Sequence, residues 1–180
     1  MIIEKTVISD LYVITPRSFE DERGYFMETF RRDLLQREIG IDFQVAQTND
    51  AYNQKKGIIR GLHFQRDKAA ETKIIRCVRG RIYDVVVDTR PHSPTFLKWQ
   101  AVELSEENRK MFLIPRGCAH GYQTLTNESL VQYLTDNFYN ASASAGYRYD
   151  DPAFGIRWPI ERPLLSQKDK NWPPFTPNNA

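Results

Sequence analysis

Hydrophobic and polar positions alternate along this chain in short runs, and the runs are punctuated by glycine, proline, asparagine and aspartate. "LYVIT" at 11–15 reads as a short strand that ends at Pro16, and "SFEDERGYFMETF" as a polar turn followed by an aromatic strand. "RRDLLQREIG" breaks the pattern. Leu34, Leu35 and Ile39 fall on one helical face, and Gly40 is the stop. After it the strand signals dominate. "GIIRGLHFQ" (57–65) is an apolar run interrupted by Arg60 and His63. "TKIIRCVRGRIYDVVVDTR" (72–90) predicts a hairpin whose β-rich arms meet at Arg79-Gly80-Arg81. "FLKWQAVELS" alternates, "RKMFLIPRGCAHGYQTLT" predicts two short strands around a Pro-Arg-Gly turn, and "SLVQYLTDNFY" is another strand. Short strands with turns roughly every 8–12 residues predict an all-β sandwich or barrel. From Asp150 the chain is rich in proline and tryptophan with little periodicity, which predicts a tail wrapped on the barrel and a single domain over 1–180.

Composition narrows the partners. The chain has 180 residues, 41% of them hydrophobic and 27% charged, which suits one folded core. A net charge of +2 without a polybasic run excludes a general nucleic-acid binder. Local arginines and lysines remain available for a small anion. Two cysteines, Cys77 and Cys118, lie among apolar residues and read as small core residues rather than a disulfide framework. The start "MIIEKTVISD" lacks the apolar core of a signal peptide, and no apolar stretch approaches the ~20 residues that span a bilayer. A soluble, cytoplasmic protein without membrane partners is expected.

The chemistry centres on the interrupted strand. Ile59, Gly61, His63 and Gln65 share one face, and Ile58, Arg60, Leu62 and Phe64 the other. Strict alternation therefore separates Arg60 from His63 unless a bulge or twist at Gly61 re-aims one of them. The plain alternative is a satisfied core histidine and a solvated arginine. A metal centre is not expected. The chain has three histidines, His63, His92 and His120; Gln65 stands where a His-x-His pair would place its second imidazole, and His92 lies in the turn "RPHSPT". Neither a G-x-S-x-G elbow nor a phosphate-cradling glycine loop is present. Acid–base chemistry is what survives. A histidine ordinarily titrates near neutrality, a tyrosine can give a proton from another direction, and a lysine can hold a developing oxyanion. His63, Tyr133 and Lys73 are those residues here. Against this stand the plain readings of Lys73 as a solvated strand end and Tyr133 as a half-buried strand aromatic.

"DERGYFMETF" (21–30), "GIIRGLHFQ", "TKIIRCVRGRIYDVVVD" (72–88), "IPRGCAHGYQTL" (114–125), "YLTDNFYN" (133–140), "DDPAFGIRWP" (150–159) and "LSQKDKNWP" (165–173) occur in this order over nearly the whole chain. Together they resemble the dTDP-4-dehydrorhamnose 3,5-epimerases. The resemblance implies an all-β, cupin-type jelly-roll barrel with a few short helices and an irregular C-terminal tail. It also implies a homodimer that needs no cofactor or metal, and a substrate that is a 4-keto-6-deoxyhexose on a nucleoside diphosphate. In its terms His63 is the base, Asp169 orients it, Lys73 faces the enolate oxygen and Tyr133 returns the proton. Arg60 binds the diphosphate or the sugar edge. Arg23, Glu28, Gln47, Asn49, His120 and Lys168 line the nucleotide-sugar site, Tyr139 stacks on the base, and Phe26 joins it from a partner chain. Ala141 and Ser144 stand where the family commonly has proline and glutamate, which keeps open a single-centre epimerase or a CDP- or GDP-linked sugar. A non-catalytic nucleotide-sugar-binding barrel is the reading from another class.

Overall fold

The computed structural model describes residues 1–176, so the last four residues of the tail lie outside it. Two antiparallel sheets face each other. The first holds six strands in the order β1 (Ile2–Lys5), β2 (Tyr12–Thr15), β10 (Met111–Ile114), β7 (Lys73–Arg79), β12 (Ser129–Thr135) and β5 (Gln47–Asn53). The second holds five, in the order β13 (Ser144–Gly146), β6 (Ile59–Gln65), β11 (Cys118–Thr124), β8 (Arg81–Asp88) and β9 (Trp99–Ser105). A separate hairpin pairs β3 (Arg17–Asp21) with β4 (Gly24–Glu28). Two short α-helices, α1 (Arg32–Ile39) and α2 (Gln167–Lys170), and a single 3-10 turn at Asp67–Ala69 complete the described elements. Among the described residues no helix is long and apolar enough to cross a membrane.

This is the cupin-type jelly roll. Its interior is built from both sheets: Ile75, Cys77, Phe112, Ile114 and Val131 from the first pack on Ile82, Val86, Leu104, Cys118 and Tyr122 from the second. The outer faces are covered too. Leu35 of α1 and Phe43 close Ile14, Ile74, Met111 and Leu113 of the six-stranded sheet. Residues of the tail, Phe154 and Phe175 among them, pack with Tyr147 on Leu62, Val87 and Ala119 of the five-stranded sheet. Strands buried on both faces need apolar side chains on both, which explains the unbroken runs Ile74-Ile75 and Val85-Val86-Val87.

Three readings of the pattern change. The segment 72–90 is not a hairpin: β7 and β8 belong to opposite sheets, and the chain crosses between them at Gly80. That corner is tied to other loops instead, with the Gly80 amide donating to Glu106 and the Arg81 amide to Thr126. "RSFED" is a strand rather than a turn, paired with β4 from Arg17↔Glu28 to Asp21↔Gly24. Strands β1, β5 and β13 and helix α2 carry too little periodicity to be read in advance. "QTNDAYN" is polar at most positions because one of its faces lines a cleft rather than a core.

Candidate active site

A cleft of about 490 Å³ opens at one end between the two sheets, within the usual size range of small-molecule pockets. The six-stranded sheet contributes Gln47 and Asn49 from β5, Lys73 from β7 and Tyr133 from β12. The five-stranded sheet contributes Arg60 and His63 from β6 and His120 from β11. Tyr139 comes from the segment that follows β12, and Lys168 from α2.

Arg60 and His63 share this cleft because β6 is bulged. The ladder pairs His63 with His120 and Arg60 with Tyr122, so three steps along β6 answer two along β11. The extra residue reverses the alternation and turns both polar side chains to one side. Gly61 is required there. Its φ is +136°, and an added Cβ would lie 2.5 Å from the Cα of Gly121 on β11. Leu62, re-aimed in the other direction, is fully buried beneath the tail. The Arg60 guanidinium is steadied by Asn53 Oδ1 at 2.8 Å and the Tyr52 carbonyl at 3.2 Å.

His63 Nε2 meets Asp169 Oδ1 at 2.5 Å. Asp169 is buried, on α2, and Ser166 caps that helix: its hydroxyl accepts from the Asp169 amide at 3.0 Å and donates to Asp169 Oδ2 at 2.9 Å. Trp172 Nε1 donates to Oδ1 at 3.3 Å. Burial alone would raise this carboxyl, but the bonds from His63, Ser166 and Trp172 outweigh it and hold Asp169 below the ordinary carboxylate range. The carboxylate is thus ionised beside the imidazole, and the second ring nitrogen is left for the cleft.

Across the cleft Tyr133 stands edge-on to His120, with ring centroids 6.2 Å apart. Burial pushes its phenol well above the ordinary value, and neighbouring Tyr122 adds to this, so at neutral pH it keeps its proton. Lys73 is 6% exposed and is therefore no solvated strand end. Its ammonium lies 2.9 Å from Glu71 Oε1. His120 meets the fully buried Asp84 at 2.7 Å, and burial raises the Asp84 carboxyl against the pull of that histidine.

Nine of the thirteen residues expected at the site line the cleft: Gln47, Asn49, Arg60, His63, Lys73, His120, Tyr133, Tyr139 and Lys168. Asp169 stands directly behind His63. Arg23, Phe26 and Glu28 do not line it. They sit on the β3–β4 hairpin, where Arg23 pairs with Asp21, Glu28 with Arg31, and Phe26 is 70% exposed. Glu71, Gln65 and Asp84 were missed. Gln65 shares the His63 face at a spacing of two, and Asp84 interrupts the run "YDVVVD"; both signals were present in the sequence. Glu71 lies in a loop, where no periodicity marks it.

The chain as a whole is similar to known proteins. A family model described as dTDP-4-dehydrorhamnose 3,5-epimerase matches residues 5–177. A protein of that name from Shigella flexneri is 42% identical over 175 residues, covering 97% of this chain and 96% of its own. The structure of dTDP-4-dehydrorhamnose 3,5-epimerase from Bacillus anthracis, with TDP and PPi bound, superposes with a TM-score of 0.93. It is 39% identical and covers 96% of this chain and 98% of its own. The dTDP-6-deoxy-D-glucose-3,5-epimerase of Legionella pneumophila, in complex with dTDP-4-keto-L-rhamnose, superposes with a TM-score of 0.91. It is 36% identical and covers 96% of this chain and 91% of its own.

Proposed function

Because this chain belongs to the dTDP-4-dehydrorhamnose 3,5-epimerase family, we propose that it is an isomerase that inverts C3 and C5 of dTDP-4-dehydro-6-deoxyglucose, giving dTDP-4-dehydrorhamnose. The observation that carries this reading is the placement of a histidine–carboxylate pair and a protonated tyrosine on opposite sheets of one cleft, with a buried lysine beside the tyrosine's strand. Hydrogens on C3 and C5 are acidic because the C4 keto group accepts the electron pair each leaves behind. The free nitrogen of His63 takes the proton and Asp169 stabilises the imidazolium. Negative charge moves onto the C4 oxygen, opposite the Lys73 ammonium. Tyr133 gives its hydroxyl proton to the carbon from the other face, which inverts the centre; the His63 imidazolium then releases its proton to water and the Tyr133 phenolate takes one up, which resets both side chains for the second centre. The electron pairs are carried by the substrate and these side chains, water carries the exchanged protons, and the scheme uses no cofactor.

Arg60 and Lys168 supply positive charge for the diphosphate. Gln47, Asn49 and His120 offer polar contacts to the sugar, and Tyr139 a ring for the base. The exposed hairpin carrying Arg23, Phe26 and Glu28 reaches the site of a second copy, so the working unit is a homodimer. The setting is the cytoplasm, where nucleotide sugars are made. The test is proton exchange in heavy water, followed by NMR at C3 and C5 of dTDP-4-dehydro-6-deoxyglucose. Deuterium entering both positions is expected. Entry at one only would replace the double inversion by a single one and direct attention to Ser144. Entry at neither, with the nucleotide still bound, would leave a binding protein.

A further inference from the structure

Glu71 is absent from every role above, yet it is the group that Lys73 touches. We propose that Glu71, held by Gln65, is the positioning residue that aims the Lys73 ammonium at the substrate's keto oxygen; this rests on the oxyanion role of Lys73. A buried ammonium needs a counter-charge, because its lost hydration is not otherwise replaced. The Lys73 side chain is 8% exposed and that of Glu71 13%, and the two are 2.9 Å apart. The other oxygen of the same carboxylate accepts from Gln65 Nε2 at 2.7 Å. Glu71 therefore stands between two donors, one on each oxygen.

Only a carboxylate answers both. An amide in its place has one acceptor oxygen and would turn its NH2 toward either Lys73 or Gln65. Gln65 is itself fixed from several sides. The two hydrogens of its Nε2 are shared among Glu71 and the Ala69 and Phe138 carbonyls, which lie at 3.0 and 3.1 Å, and its Oε1 accepts from the Asn140 amide at 2.6 Å. The bracket thus runs from the strand that carries His63, through Glu71, to Lys73, and is tied to the segment that carries Tyr139. The ion pair with Glu71 at 2.9 Å fixes where the Lys73 ammonium sits, and both residues line the cleft. A four-carbon stem without this tether would sample several rotamers, and misplacement of about 1 Å at a reacting centre can cost about a hundredfold in rate.

The experiment compares Glu71→Gln, Lys73→Met and the double variant in the full-length protein. It reads kcat for epimerisation, dTDP affinity by calorimetry and folding by thermal melting. Glu71→Gln is expected to lower kcat about tenfold to a hundredfold with dTDP affinity within twofold of the wild type. Adding it to Lys73→Met should lower kcat no further, because the group it aims is gone. Glu71→Asp, which keeps both acceptors on a shorter stem, should recover part of the loss. If Lys73→Met impairs turnover while Glu71→Gln does not, the positioning role is overturned and the reading of Lys73 stands. If Glu71→Gln is impaired while Lys73→Met is not, both are overturned. A parallel loss of kcat and dTDP affinity would mean that Glu71 only holds the cleft together, and would overturn the proposal as well.

Discussion

In the proposed mechanism His63 and Tyr133 make separable contributions, because one removes a proton and the other returns it. His63→Ala is expected to abolish both deuterium uptake and inversion, by about a hundredfold or more, as general-base removal does. Tyr133→Phe should still admit deuterium, since the base remains, but should lose inversion because the second face has no donor. The NMR exchange assay reports both quantities in one experiment. Inversion that survives Tyr133→Phe would move the acid to another group. Both side chains were legible as chemistry in the sequence: a lone imidazole and a strand tyrosine, each with a plainer reading beside it. Their mutual placement was not, because they come from strands 70 residues apart that meet only across the barrel.

At the level of elements, β6 and β13 determine where His63 points. Gly146 pairs with His63 across these strands, and an added Cβ there would lie 2.4 Å from the Leu62 carbonyl and 2.6 Å from the Trp172 ring. The strand packs this closely because nothing stands between it and the ring that donates to Asp169. Gly146→Ala should therefore push Trp172 away from Asp169 and loosen the carboxylate behind His63. The expected cost is about 1–3 kcal/mol in stability, as for other overpacked sites. A loss of kcat should accompany it, larger than any change in dTDP affinity. Chemical denaturation and steady-state kinetics measure the two. Unchanged kcat in a folded variant would show that the Trp172 contact is dispensable. The helix at 32–39 was readable from its spacing and its terminal glycine. The hairpin at 72–90 was misread because two strands joined by a short glycine turn look alike whether they pair or cross to opposite sheets.

For the molecule as a whole, one buried charge ties distant parts of the chain together. Asp88, at the end of β8, is fully buried and accepts from Arg90 Nε at 2.9 Å and from the Ser93 and Thr95 hydroxyls at 2.5 and 2.6 Å. Arg90 continues to Asp10 and to the Ser9 carbonyl, and so joins the loop before β2 to the second sheet. Burial alone would raise the Asp88 carboxyl, but these donors outweigh it and hold it at about 2. A folded value below the unfolded one stabilises the native state at pH values above the unfolded carboxylate range. That stability is lost as pH falls from near 4 through 2. The contribution is about 2 kcal/mol at neutral pH. Asp88→Asn should lower the urea midpoint at pH 7 and narrow the gap to the wild type as pH approaches 2. A gap that does not change with pH would mean that the carboxylate's charge is not what stabilises this corner.

The amino-acid sequence by itself determined the all-β class, the one substantial helix and the family, through ordered blocks that run almost end to end. These depend on local spacing and on residue type, which are written in one dimension. Tertiary structure decided the rest. It decided that Arg60 and His63 face the same cleft, because a single extra residue in β6 reverses the alternation, and only pairing with β11 reveals that residue. It decided that Lys73 is buried against Glu71 rather than solvated, because its strand end is covered by a loop whose polar residues have no period. It also separated Arg23, Phe26 and Glu28 from the cleft of their own chain, because their hairpin belongs to neither sheet. Sequence pattern records which face of an element is apolar; which faces meet depends on contacts between residues far apart along the chain.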